Sequence, residues 1–217
     1  MKLDKKTVLH IGAGKVDCAD IHNGDGAFHV YLDRGYPFTC TMRDVMDSLV
    51  KWQADVINGV HPTVGGSSHF IPADIFEFLD QFPFQFDHIE AYRIFEHQEY
   101  CSGEIGRLFE ACNNISKDNS TLDILVPNAE ILATLLLECE KDLEYSLNNM
   151  LVLNSEFCNI KADPHGSIWT PRLAEIYLHQ EATWELHNIQ SAHHHKGRDY
   201  MKIECFKGMG NKEWIQE

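Results

Sequence analysis

Residues 7–14 read TVLHIGAG, a β-branched and apolar run that stops at Gly12, Ala13 and Gly14. A short apolar run bounded by glycine predicts a buried strand feeding a tight loop. Glycine has no side chain to hold a ligand away, so such a loop lets an anionic or nucleotide ligand approach backbone amides. Spacing excludes two common glycine loops. The phosphate-binding P-loop needs a glycine five residues before Gly14, where this chain has Leu9, and Lys15 is followed by Val16. The nicotinamide fingerprint needs a third glycine at position 17, which is Asp17.

Beyond this loop, residues 15–26 (KVDCADIHNGDG) lack helical periodicity and predict an extended connection. Phe28–Leu32 (FHVYL) predicts a second strand ending at Asp33. A carboxylate there can accept hydrogen bonds from both hydroxyls of an adenosine ribose; equally, an aspartate after a strand is a common turn former. In Met42–Ile57, apolar residues Val45, Met46, Leu49, Val50, Trp52, Val56 and Ile57 recur mostly at three and four, the spacing of an amphipathic helix. A short strand is expected over His69–Pro72 leading to Asp74, a fourth over Phe86–Tyr92, and a helix over Glu99–Ile115. Polar residues 116–120 then precede a strand over Thr121–Val126, and Asn128 caps a helix through Ile131, Leu132, Leu135 and Leu136.

Thr170 before Pro171 starts a further helix reaching about Glu181, since threonine caps free amides and proline fits the first helical position. Thr183–Gln190 and Tyr200–Phe206, joined by a polar loop with His193, His194, His195 and Gly197, suit an antiparallel hairpin. Strands interleaved with helices predict an α/β, Rossmann-like doubly wound sheet, mostly parallel with a C-terminal antiparallel hairpin, in a single domain over 1–217. In such a sheet the ligand crevice lies where strand order reverses, so the strands ending at Gly12 and near Tyr92 should be neighbours.

The 217 residues are 44% hydrophobic, enough for a sizeable core, with no apolar run long enough to span a bilayer. Together with a start that passes directly from charged residues into a strand, this predicts a cytoplasmic protein with no membrane partner. The seven cysteines are odd in number, scattered and without a CxxC pair, which predicts reduced, structural thiols. A net charge of −15 repels phosphate backbones and disfavours duplex nucleic acid. Adjacent His193, His194 and His195 point in alternating directions on an extended chain, so a solvated loop is expected there and no metal site.

The ordered series VLHIGAG, VYLD, PADIF, FDHIEAYRIFEH and LDILVPN resembles class I S-adenosylmethionine methyltransferases, particularly small members with a short first connection. The resemblance implies a cofactor, S-adenosylmethionine, and an unidentified small-molecule or sugar acceptor. It also implies cofactor-binding roles for Gly12, Ala13 and Gly14 in the glycine loop and for Asp33 at the ribose. Asp74 and Ile75 take the adenine turn, and Ala91 and Tyr92 the end of the fourth strand. Methyl transfer needs in-line positioning more than a universal catalytic group. For a hydroxyl or amine acceptor, His97 is the candidate base and Glu96 the alternative; otherwise His97 lines the cofactor site and Glu96 supports a helix. His165 and Trp169 either close the acceptor side or supply loop packing. Lys15 and Val16 depart from the small residue usual near this loop, which leaves a noncatalytic binding module or subunit as the alternative function.

Overall fold

The computed structural model describes residues 6–12, 26–32, 41–58, 68–71, 75–76, 79, 84–99, 102–137, 167–180, 183–194 and 198–208. All of the expected loop over 15–26 except Gly26, together with Ala13, Gly14, Asp33, Asp74, His165 and His195, lies outside the described residues. The elements are β1 (Thr7–Ile11), β2 (Phe28–Leu32), α1 (Met42–Ile57), β3 (Ser68–Ile71), β4 (Phe86–Tyr92) and a 3-10 turn (Phe95–His97). They continue with α2 (Glu104–Asn114), β5 (Ser116–Pro127), α3 (Ala129–Leu137), α4 (Pro171–Gln180), β6 (Trp184–His194) and β7 (Arg198–Lys207).

Side-chain caps set three of the helix starts. Thr41 and Asp44 bond each other's amides reciprocally, at 2.8 and 3.3 Å, in a capping box ahead of α1. The Asn128 side chain accepts from Glu130 and Ile131, and Thr170 Oγ1 accepts from Leu173 at 3.1 Å, as expected of both caps. α2 starts later than the expected Glu99. Gly103, at φ 78°, sets the turn that launches it, without any side-chain cap.

Among the described residues the strands form one seven-stranded sheet in the order β3-β2-β1-β4-β5-β7-β6. β1 through β5 are parallel, and β7 runs antiparallel between β5 and β6. The doubly wound, mostly parallel sheet and its terminal hairpin are therefore present, with β1 and β4 adjacent. Two strands are longer than their apolar runs suggest. β5 begins at Ser116 because its polar start still pairs with Phe86; the register then slips before His88 meets Thr121, with Asn119 at φ 62°. In the hairpin, His193 pairs with Asp199 and His194 with Arg198, so these two histidines belong to the ladder and not to a loop.

One face of the sheet is apolar. Leu9, Ile11, Val30, Ile89, Ala91, Leu122, Ile124 and Ile203 are buried there, and they belong to a core that includes Trp52, Phe109 and Leu178 from three helices. Cys112 and Cys205 are free thiols in this core; burial pushes the Cys112 pKa up to about 12, so it stays a protonated apolar filler. No described helix is long and apolar enough to cross a membrane.

The first and fourth strands are also tied at their starting ends. Asp87 Oδ2 accepts from the Thr7 amide at 2.8 Å, the Thr7 hydroxyl at 2.8 Å and the Lys117 ammonium at 2.7 Å. Partial burial opposes ionisation of Asp87, but these donors outweigh it and hold the pKa below the ordinary 3.8. A carboxyl depressed in the fold contributes stability above that ordinary value and loses it as pH falls through the folded one. Asp87→Asn should therefore cost about 1 kcal/mol at neutral pH, the pair with Lys117 being partly solvent-screened. In denaturant titrations across pH the two proteins should converge below the ordinary value of 3.8; a gap that stays constant into acid would refute the assignment.

Candidate functional site

Strand order reverses between β1 and β4, the place at which open α/β sheets bind ligands beyond the strands' carboxyl ends. Gly12 sits at that point. Its φ is 75°, and its amide donates to the Leu32 carbonyl at 2.9 Å, tying the exit of β1 to the end of β2. A Cβ on Gly12 would stand 2.5 Å from both Ile94 Cγ1 and the Tyr92 carbonyl oxygen. Both its conformation and its closeness to β4 therefore demand glycine. Arg93 turns the end of β4 at φ 61° while its amide donates to Leu125, and this carries Ile94 over Gly12.

The sequence-identified residues occupy different surroundings. Gly12, Ala91 and Tyr92 converge at the β1/β4 exit, while Ile75 is half-buried and packs against the core. The Ala91 side chain is fully buried on the apolar face in register with Ile11, so only its backbone is available to a ligand. The Tyr92 phenol is pushed above its ordinary pKa, first by burial and then by the charges of Glu90 and Asp123, so it remains a donor at neutral pH.

His97 closes the 3-10 turn beyond β4, half-buried, with its amide on the Ile94 carbonyl at 3.1 Å. Glu96 is buried beside it. Residues 167–170 fasten this turn: Ser167 donates its amide to the Glu96 carbonyl and its hydroxyl to the Phe95 carbonyl. Trp169 Nε1 donates to the Ser167 hydroxyl at 2.9 Å, and the ring packs edge-on against Phe95 and Tyr177. Trp169, 1% exposed, therefore packs in the core and stabilises the 3-10 turn from beneath.

A second constellation was not legible as a site in the sequence. On the opposite face from the apolar core, polar side chains form a chain across the strands. His29 Nδ1 meets His10 Nε2 at 2.9 Å, and His10 Nδ1 meets Glu90 Oε2 at 2.7 Å. Glu90 Oε1 and Asp123 Oδ2 face His88 Nε2 at 3.4 and 3.6 Å. Asp123 in turn binds Lys202 at 2.8 Å, and Lys202 binds Glu204 at 2.9 Å. Burial disfavours the Glu90 charge, but His10, bonded at 2.7 Å, and the neighbouring His88 outweigh it and hold its pKa far below the ordinary range. Burial likewise works against the Lys202 ammonium, and Asp123 and Glu204 more than restore it. The available signal was alternation: His10, His29, His88 and Glu90 occupy every second position in strands otherwise read as apolar.

Gly12→Ala should destabilise the fold by about 2–4 kcal/mol, combining a left-handed alanine with overpacking against β4. Equilibrium unfolding measures this directly. An alanine variant as stable as the parent would show that β1 does not exit against Tyr92 and Ile94 as described.

No protein-family model matches the sequence, and no curated protein matches it either. Solved structures do. A Burkholderia thailandensis 1,6-didemethyltoxoflavin-N1-methyltransferase, solved with 1,6-didemethyltoxoflavin and S-adenosylhomocysteine, superposes at TM-score 0.56 with 13% identity, covering 94% of this chain and 71% of that one. An S-adenosylmethionine-dependent methyltransferase of Methanosarcina mazei gives TM-score 0.53 at 12% identity, over 94% and 92% of the two chains. The N-methyltransferase NodS of Bradyrhizobium japonicum gives 0.51 at 8%, over 94% and 86%. With its strand order, its reversal at Gly12 and these neighbours, the chain has the fold of the class I S-adenosylmethionine-dependent methyltransferases.

Proposed function

We propose that this chain is a single-domain enzyme that transfers a methyl group from S-adenosylmethionine to a small-molecule acceptor. The observation that carries the reading is the β1/β4 reversal with Gly12 pressed against the end of β4. It supplies a crevice with a glycine turn at its floor, where open α/β sheets bind ligands. The Burkholderia neighbour, an N1-methyltransferase holding 1,6-didemethyltoxoflavin and S-adenosylhomocysteine, favours the same chemistry by analogy of fold.

In this reading Gly12 keeps the turn free of a side chain, and Ala13 and Gly14 bring backbone amides close to the donor. Asp33, which directly follows β2, accepts from the ribose hydroxyls, while Asp74 and Ile75 flank the adenine. Tyr92 contributes the end of β4 and Ala91 only its backbone. The donor supplies an electrophilic methyl on a sulfonium; the protein's own contribution is to hold an acceptor in line with it. His97, on the turn beyond β4, receives or orients the acceptor proton.

Calorimetry with S-adenosylhomocysteine should give one site per chain, and Asp33→Ala should weaken it by about 2 kcal/mol, roughly 30-fold, while the protein stays folded. Unchanged affinity would remove Asp33 from the site. A screen for S-adenosylhomocysteine release across candidate acceptors tests the enzyme itself, because a module that only binds the donor yields no product. With an acceptor in hand, His97→Ala should lower turnover about 100-fold and leave donor affinity in place. A fall in affinity without loss of turnover would make His97 a lining residue only.

A further inference from the structure

We propose that His88, Glu90 and Asp123 form a binding site for one first-row divalent transition-metal ion such as Zn2+. His88 and Glu90 are two apart on β4 and so share a face, and the cross-strand partner of Glu90 is Asp123 of β5. One nitrogen and two carboxylate oxygens thereby come within 4.8 Å of one another. The two distances from His88 Nε2, 3.4 and 3.6 Å, are longer than a good N–H···O hydrogen bond. They match the roughly 3.4 Å edge of a tetrahedron whose ligands stand about 2.1 Å from a central zinc.

Two of the ligands are also held from behind, as metal ligands are. His88 Nδ1 contacts the Thr121 hydroxyl at 2.6 Å; with the Nδ1 proton donated there, Nε2 turns its lone pair toward the carboxylates. His10 fixes Glu90 through the oxygen that faces away from His88, at 2.7 Å, and is itself fixed by His29. The three ligands are 13–20% exposed, buried enough to favour a cation over its hydration shell and open enough for one to enter. A nitrogen with two oxygens suits a borderline ion such as Zn2+ better than Mg2+ or Ca2+, which take oxygen ligands. Lys202 is the competitor: its ammonium neutralises the same Asp123 oxygen that an ion would use.

Glu90 lies two residues inside the end of β4, about 7 Å from its exit at 3.3 Å per residue, so the three ligands are separate from the residues read above as binding the methyl donor. The sequence signal of the site was missed because the ligands come from two strands, and spacing along one segment cannot show them.

The test uses the full chain with His193, His194 and His195 replaced by alanine, which removes the histidine run as a source of adventitious binding. After treatment with chelator it is titrated with Zn2+ by calorimetry and with Co2+ by visible absorption. The expected result is one saturable equivalent of each, tetrahedral Co2+ bands, and no comparable response to Mg2+. His88→Ala should abolish the saturable phase. Thr121→Val, a near-isosteric change that leaves all three ligands, should weaken it about tenfold by releasing the imidazole. Lys202→Met should tighten it by removing the competing charge. Absence of a saturable equivalent in both the starting protein and Lys202→Met overturns the proposal, as does Zn2+ affinity unchanged in folded His88→Ala. If His88→Ala fails to fold, Thr121→Val and the Co2+ spectrum decide: unaltered affinity with bands lacking tetrahedral intensity also overturns it.

Discussion

Gly12 has to satisfy two demands at once, a left-handed backbone and a contact too close for any Cβ, and the middle of the molecule is organised around the result. Because the chain leaves β1 tightly against the Tyr92 carbonyl and the Ile94 side chain, β1 and β4 stay flush to their ends. The Gly12 amide then reaches sideways to Leu32 and holds β2 in step. Arg93 takes a left-handed conformation of its own on the other side of this contact, at a cost of about 1–2 kcal/mol for a residue with a side chain. Two unusual residues facing each other at the strand exits turn the order of the sheet into a crevice.

The two faces of the sheet obey different physics. On one, aliphatic side chains interdigitate with helices and their contribution is nondirectional. On the other, stability depends on each polar group meeting its partner, since a buried group left without one costs more than the bond itself provides. His10 and His29 are almost fully buried and stacked alongside Tyr31, yet they sit in the same short strands as Leu9 and Val30. That face resists approximate packing: replacing one member strands its neighbour.

Much of the architecture was legible in the sequence because it rests on local chemistry. Helical spacing in Met42–Ile57, the caps at Asn128 and Thr170, and the glycine after Ile11 each act within a few residues. The doubly wound sheet, with β1 beside β4 and a terminal hairpin, followed from a series of short motifs, no one of which was specific. What sequence could not supply was register. The slip between Phe86 and His88 that lengthens β5, and the juxtaposition of Glu90 with Asp123, depend on segments some 30 residues apart aligning in one particular way. Trp169 could be read as closing the acceptor side or as packing, and its partners Phe95 and Tyr177, which come from separate elements, could not be named.

The position of β7 has a consequence for how the chain acquires its shape during synthesis. β7 comes later in the chain than both of its neighbours, yet it lies between them, pairing with β5 over Thr121–Pro127 and with β6 along nearly its whole length. Until residues 198–207 have emerged, β5 is an open edge and β6 has nothing in the sheet to join. A nascent chain bearing five parallel strands thus leaves the backbone groups of Thr121–Pro127 unpaired along one edge. Sheet closure is an insertion and not an extension, and the strand that completes it is also the one that brings Lys202 to Asp123.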